Sequence, residues 1–153
     1  MTRYFGTDGI RDCEDGPLME KSFIRRLGFA LGRFLEQKYP DQLRTLVIGR
    51  DTRSSGREIC EHITEGLCLR DTMIYYLGVV PSPAVAMATG ELNARLGVMI
   101  TASHNPANYN GVKLFNEHGM KFSPQEEECI ERLIDEARPP EHRNIKTNYF
   151  DHP

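Results

Sequence analysis

Apolar positions along the chain switch repeatedly between the period of a helix and that of a strand. Phe23, Ile24, Leu27, Leu31, Phe34 and Leu35 recur at helical intervals and predict an amphipathic helix over about residues 19–38. Leu46-Val47-Ile48 is a short apolar run ended by Gly49, as expected of a strand buried on both faces. Ile59, Ile63 and Leu67 return to helical spacing, and Met73 to Leu77 reads as a second strand closed by Gly78. Ser82-Pro83 offers a capping oxygen before a proline suited to the first helical position, which predicts a helix through about Ala88. Leu96 to Ile100 is the third strand. Gly111 to Phe115 has β character and follows closely. A parallel return needs about a dozen connecting residues or more, so this strand is expected to run antiparallel to its neighbour. The last helix is marked by a capping box, Ser123-Pro124-Gln125-Glu126, and an apolar face of Ile130, Leu133, Ile134 and Ala137. Arg138-Pro139-Pro140 stops it.

From the first strand onward the order is β-α-β-α-β-β-α, which predicts a three-layer α/β/α domain with a mixed, mostly parallel sheet. The domain is expected over residues 1–138. Residues 139–153 lack a sustained period and are expected to be a linker or the start of a connection to further domains. In sheets of this kind ligands gather at the carboxyl ends of the strands.

Composition narrows the classes of function. A chain of 153 residues that is 39% hydrophobic can bury a core without metal or disulfide staples. Its 19 basic and 22 acidic residues give a net charge of −3, with no basic stripe, which argues against a nucleic-acid partner. Cys13, Cys60, Cys68 and Cys129 are scattered, form no CxxC pair and lie at no usual zinc spacing from the histidines. They read as reduced thiols. The N-terminus has no apolar run behind its charge, and no stretch approaches the ~20 apolar residues of a membrane span. A cytoplasmic protein with no membrane association is expected. His62, His118, His142 and His152 read as solvated surface histidines, and Glu126-Glu127-Glu128 as acidic residues that complement a helix dipole.

Three loops carry the candidate chemistry. Thr101-Ala102-Ser103-His104-Asn105-Pro106, with Asn110-Gly111-Val112-Lys113 behind it, leaves a buried strand and gathers a hydroxyl, an imidazole, amides and an ammonium. A serine that accepts a phosphoryl group needs partners that neutralise the transferring charge and a group that moves a proton, and His104 and Lys113 are of suitable type. The same residues also suit a plain polar turn, capped by Ser103 and initiated by Asn105-Pro106. Residue types alone leave both readings open. Gly49-Arg50-Asp51-Thr52-Arg53-Ser54-Ser55-Gly56 opens a helix, where backbone N–H groups and arginines could meet an anion or simply cap the helix. Phe5-Gly6-Thr7-Asp8-Gly9-Ile10-Arg11 could aim Arg11 into a site or merely turn the chain.

Taken together and in order, FGTDGIR, GRDTRSSG and TASHNP–NGVK resemble the marks of the α-D-phosphohexomutase family across nearly the whole chain. The opening Tyr-Phe-Gly-Thr-Asp-Gly-Ile-Arg is most similar to the branch of bacterial phosphoglucosamine mutases. The resemblance implies that Ser103 carries the phosphate, that His104, Lys113 and Arg11 surround the transferring group, and that Asn105 and Asn110 shape or line the loop. Asp51 and Arg53 would brace it. Asp12 departs from the family pattern, which has glycine there, and a carboxylate at this place could pair with Arg11 and restrain its reach.

Family resemblance further implies an intramolecular phosphotransferase that interconverts glucosamine 6-phosphate and glucosamine 1-phosphate through a phosphoserine and a hexose 1,6-bisphosphate, which also serves as activator. It implies Mg²⁺ bridging the phosphate on Ser103 to aspartates of another domain. The sugar-reading and phosphate-clamping domains would be the other partners, so the 153-residue chain is expected to be inactive alone. The same chemistry on glucose or mannose phosphates, or a non-catalytic module that binds phosphate or a partner, remain as alternatives. Neither composition nor motifs decide between a monomer and a homodimer.

Overall fold

The apolar faces meet on a six-stranded sheet in the computed structural model, which describes residues 3–67, 72–139 and, as backbone, 148–151. In chain order the elements are β1 (Ile10–Cys13), α1 (Lys21–Lys38), β2 (Arg44–Arg50), α2 (Gly56–Leu67), β3 (Thr72–Val79), α3 (Ser82–Glu91), β4 (Leu96–Ile100), β5 (Tyr109–Phe115), α4 (Pro124–Glu136) and β6 (Asn148–Asp151). The strand order is β1-β5-β4-β2-β3-β6. β2, β3, β4 and β6 are parallel, and β5 runs antiparallel to both β4 and β1.

Alternation along the strands sorts the core into two layers. Leu46 and Ile48 of β2, Ile74 of β3, Leu96, Val98 and Ile100 of β4, and Val112 and Leu114 of β5 face α1, α2 and α4. Fully burying an aliphatic side chain of this size stabilises the fold by roughly 1.5–3 kcal/mol, so this layer supplies most of the driving force. α1 and α2 cross so closely that a side chain on Gly28 or Gly66 would strike the backbone carbonyl of Ile63 or Arg25. The opposite layer is thinner. Val47, Val85, Ala94 and Met99 form its buried centre beneath α3.

The α/β/α class, the antiparallel β5 and the capping box at Ser123 are as the sequence predicts. Two strands were not predicted. β1 has four residues and a single fully buried one, too little pattern to read, and β6 falls within residues 139–153, the rest of which lies outside the described residues apart from Pro139. Ser82 is not a cap. Pro81 takes the extended cap conformation, so the helix starts one residue earlier and Ser82 lies inside its first turn. His62 is not a surface histidine either: it follows Ile59 by three residues and shares the inward face of α2, with Glu58 at 3.3 Å. His142, His152 and Cys68 lie outside the described residues. Cys13, Cys60 and Cys129 are free thiols, and burial pushes that of Cys60 up to about 12. No helix among the described residues is long and apolar enough to cross a membrane.

The strand order also places the site. From β2 the chain moves outward to β3, then returns to the other side of β2 as β4. Loops leaving β2 and β4 therefore emerge side by side at the switch point, where open α/β sheets form a crevice.

Candidate active site

Ser103 follows β4 by three residues and sits at φ +52°, in the left-handed region. The other non-glycine residues at positive φ among those described are Asp41 and Asn93, types that enter this region readily. Serine does so less easily, and the conformation persists only because its surroundings enforce it. It turns the hydroxyl towards two cations. Lys113 Nζ donates to Ser103 Oγ at 2.7 Å, and Arg11 Nη2 at 3.3 Å.

Both cations arrive by strand alternation. In β5, Val112 and Leu114 point into the thick core layer, so Lys113 points to the opposite, thinly covered face. In β1, Ile10 is fully buried and Arg11 takes the other side. Arg11 Nη1 donates to Asn105 Oδ1 at 3.0 Å, and its guanidinium lies 3.6 Å from the Asp8 carboxylate. The Asp12 carboxylate does not pair with Arg11. It accepts from the backbone N–H groups of Cys13 and Leu18, on the far side of the strand.

Behind the serine, Arg53 binds the loop by its carbonyls. Its Nη1 donates to Pro106 O at 2.5 Å and Tyr109 O at 3.0 Å, and its Nη2 to Ser103 O at 3.0 Å and Asn105 O at 2.9 Å. Asp51 holds the guanidinium in place, with Oδ2 accepting from Nε at 3.1 Å. The fixed fork of guanidinium donors suits this multipoint work in a way that a lysine could not. Asn110, fully buried, donates to Ser55 Oγ at 2.8 Å and accepts from Gly111 N, which joins the start of α2 to β5. His104 is exposed and makes no hydrogen bond or ion pair among the described residues. The structure thus brings Ser103, Arg11, Lys113 and Asn105 into contact, backs them with Asp51 and Arg53, and leaves His104 at the rim.

The family model described as phosphoglucomutase/phosphomannomutase, alpha/beta/alpha domain I, matches residues 2–141. The chain belongs to this family. Over 136 residues it is 44% identical to the phosphoglucosamine mutase of Fusobacterium nucleatum, covering 88% of this chain and 30% of that protein. It is 45% identical over 135 residues to the phosphoglucosamine mutase of Bartonella tribocorum, covering 88% and 29%. A solved structure from Thermus thermophilus, named "putative phosphomannomutase", superposes with a TM-score of 0.78 at 30% identity, covering 99% of this chain and 34% of that one. The phosphohexomutase domain therefore spans about a third of the length of these relatives.

Two contributors to the site received no role from the motifs. Glu131 of α4 accepts the backbone N–H groups of Arg3, Tyr4 and Phe5 at 2.8, 2.7 and 2.9 Å, and so anchors the stretch that leads to Arg11. Burial raises the pKa of this carboxyl, but the three N–H donors outweigh it and hold the group below its usual range. Its neighbour Glu127 goes the other way, raised by burial and by Glu131 against the pull of Lys121. The second contributor is Thr101, whose hydroxyl bonds Asp51. For a metal the fit is poor: among the described residues no three His, Cys, Asp or Glu side chains stand together. Were Ser103 phosphorylated, its phosphoryl oxygens would be the donors that the described residues offer Mg²⁺.

Proposed function

We propose that this chain is the phosphate-carrying domain of a phosphoglucosamine mutase, with Ser103 as the residue that is phosphorylated. The observation that carries the proposal is the Ser103 hydroxyl, held in a strained turn with Lys113 Nζ at 2.7 Å and Arg11 Nη2 at 3.3 Å. In the forward step a sugar hydroxyl oxygen attacks phosphorus, a new O–P bond forms, and the bond between phosphorus and Ser103 Oγ breaks. Negative charge then gathers on Oγ and the transferring oxygens. Lys113 and Arg11 are placed to stabilise it, and the Lys113 ammonium is placed to hand Oγ a proton. His104, at the rim, is of the type to take the proton of the attacking hydroxyl. The reverse step returns the other phosphate of the resulting bisphosphate to Ser103.

Support for glucosamine phosphate as substrate comes from relatives named as phosphoglucosamine mutases at 40–45% identity. The Mg²⁺, the hexose 1,6-bisphosphate activator and the cytoplasmic setting belong to the same reading, as does the need for further domains. Peptide mapping of phosphate in the enzyme that contains this chain is the direct test. Phosphate is expected on Ser103, and Ser103→Ala should lower kcat to near background because no covalent carrier remains. The 153-residue chain alone should form no glucosamine 1-phosphate. Phosphate on Ser54 or Ser55 would overturn the assignment.

A further inference from the structure

The backbone of Ser103 is clamped on both sides from a single carboxylate. On its carbonyl side, Ser103 O accepts from Arg53 Nη2, and Arg53 Nε is held by Asp51 Oδ2. On its amide side, Ser103 N donates to Thr101 Oγ1 at 2.9 Å, and Thr101 Oγ1 donates to Asp51 Oδ2 at 2.6 Å. An ionised carboxylate can only accept, so the single hydroxyl proton of Thr101 is committed to Asp51 and its lone pairs are turned to the Ser103 N–H. Thr101 is buried, which shields this relay from competition by water. The two bonds fix the peptide units that flank the φ and ψ torsions of Ser103, which is where a left-handed serine needs restraint.

We infer that Thr101 is a positioning residue for phosphoryl transfer: with Asp51 it forms a relay that holds Ser103 in the left-handed turn and its Oγ between Lys113 and Arg11. Thr101 acts only through the Ser103 amide and touches no reacting atom. This rests on the reading of Ser103 as the phosphorylated residue, and the test separates the two.

Three forms of the 153-residue chain are compared: wild type, Thr101→Ser, which keeps the hydroxyl, and Thr101→Val, which keeps the shape and loses it. Amide hydrogen exchange at Ser103 reports the relay whether or not the serine is ever phosphorylated. Losing the acceptor should speed exchange at Ser103 by at least about tenfold in Thr101→Val, with Thr101→Ser restored to near wild type and β4 unchanged. Should Thr101→Val not fold, Thr101→Ala with Asp51→Asn as its companion serves the same measurement, each expected to loosen Ser103. Unchanged exchange at Ser103 in the folded hydroxyl-less variant overturns the relay. The second arm follows phosphoryl uptake at Ser103 from glucosamine 1,6-bisphosphate in the enzyme that contains the chain. Uptake slowed by about tenfold in Thr101→Val and rescued in Thr101→Ser supports positioning. Equal uptake in all three forms overturns it. No phosphate on Ser103 in the wild type overturns the phosphoserine reading instead and leaves the exchange result to judge the relay.

Discussion

The loop that carries Ser103 and the turn from Asn116 to Met120 both force one residue to positive φ, and they do it by opposite means. In the turn that residue is Gly119, at φ +72°. The turn holds its own backbone: Asn116 Oδ1 accepts from His118 N and Met120 N, and Asn116 N and Gly119 N close it internally. Its Glu117 side chain reaches outward and accepts from Tyr39 and Arg95. The Ser103 loop places a serine in that region and borrows its restraint from Asp51 and Arg53, about fifty residues away. A self-contained turn stabilises a shape. A turn held from elsewhere in the fold points a chosen side chain, and here that side chain is a hydroxyl between two cations.

Removing the outside support should cost most. Arg53→Ala strips four loop carbonyls of their donor, and Arg53 is only 10% exposed, so water replaces it poorly. A loss of about 3 kcal/mol is expected in urea unfolding. Asn116→Ala, which removes two bonds from an exposed turn, should cost only about 1 kcal/mol. Equal losses at the two sites would break the comparison.

An intermediate effect is expected at Gly119. Alanine there must adopt φ +72° and bring its Cβ against the Ala86 carbonyl. The midpoint of thermal unfolding should fall by the equivalent of about 2 kcal/mol, while any phosphorylation of Ser103 continues.

The smallest effect sharpens the contrast most. Ser103→Gly relieves the left-handed strain but adds freedom to the unfolded chain, and the two contributions are each about 1 kcal/mol and opposed. Stability should change by less than about 0.5 kcal/mol, with phosphate acceptance abolished. A clear loss of stability would mean that the serine side chain, rather than the loop's external clamp, holds this turn.

The physics of local pattern determined much of this protein before any contact was known. Helical periods in residues 23–35 and 59–67, apolar runs at 46–48 and 96–100, and the capping box at Ser123 each depend on neighbours within a few residues. They were therefore legible, as was the antiparallel β5, since too few residues precede it for a crossover. The resemblance carried by motifs in three loops marked Ser103, His104, Lys113, Arg11, Asn105, Asn110, Asp51 and Arg53 as members of one neighbourhood, of which His104 stands exposed at the rim. Tertiary structure alone decided how they engage. That Arg11 bonds Ser103 and Asn105 while Asp12 turns to its own backbone depends on which face of β1 each occupies. The short β1 and β6 strands, the buried His62 and the anchoring Glu131 are likewise products of partners distant in sequence. Such contacts follow from the order in which strands assemble, and no periodicity within a single segment encodes that order.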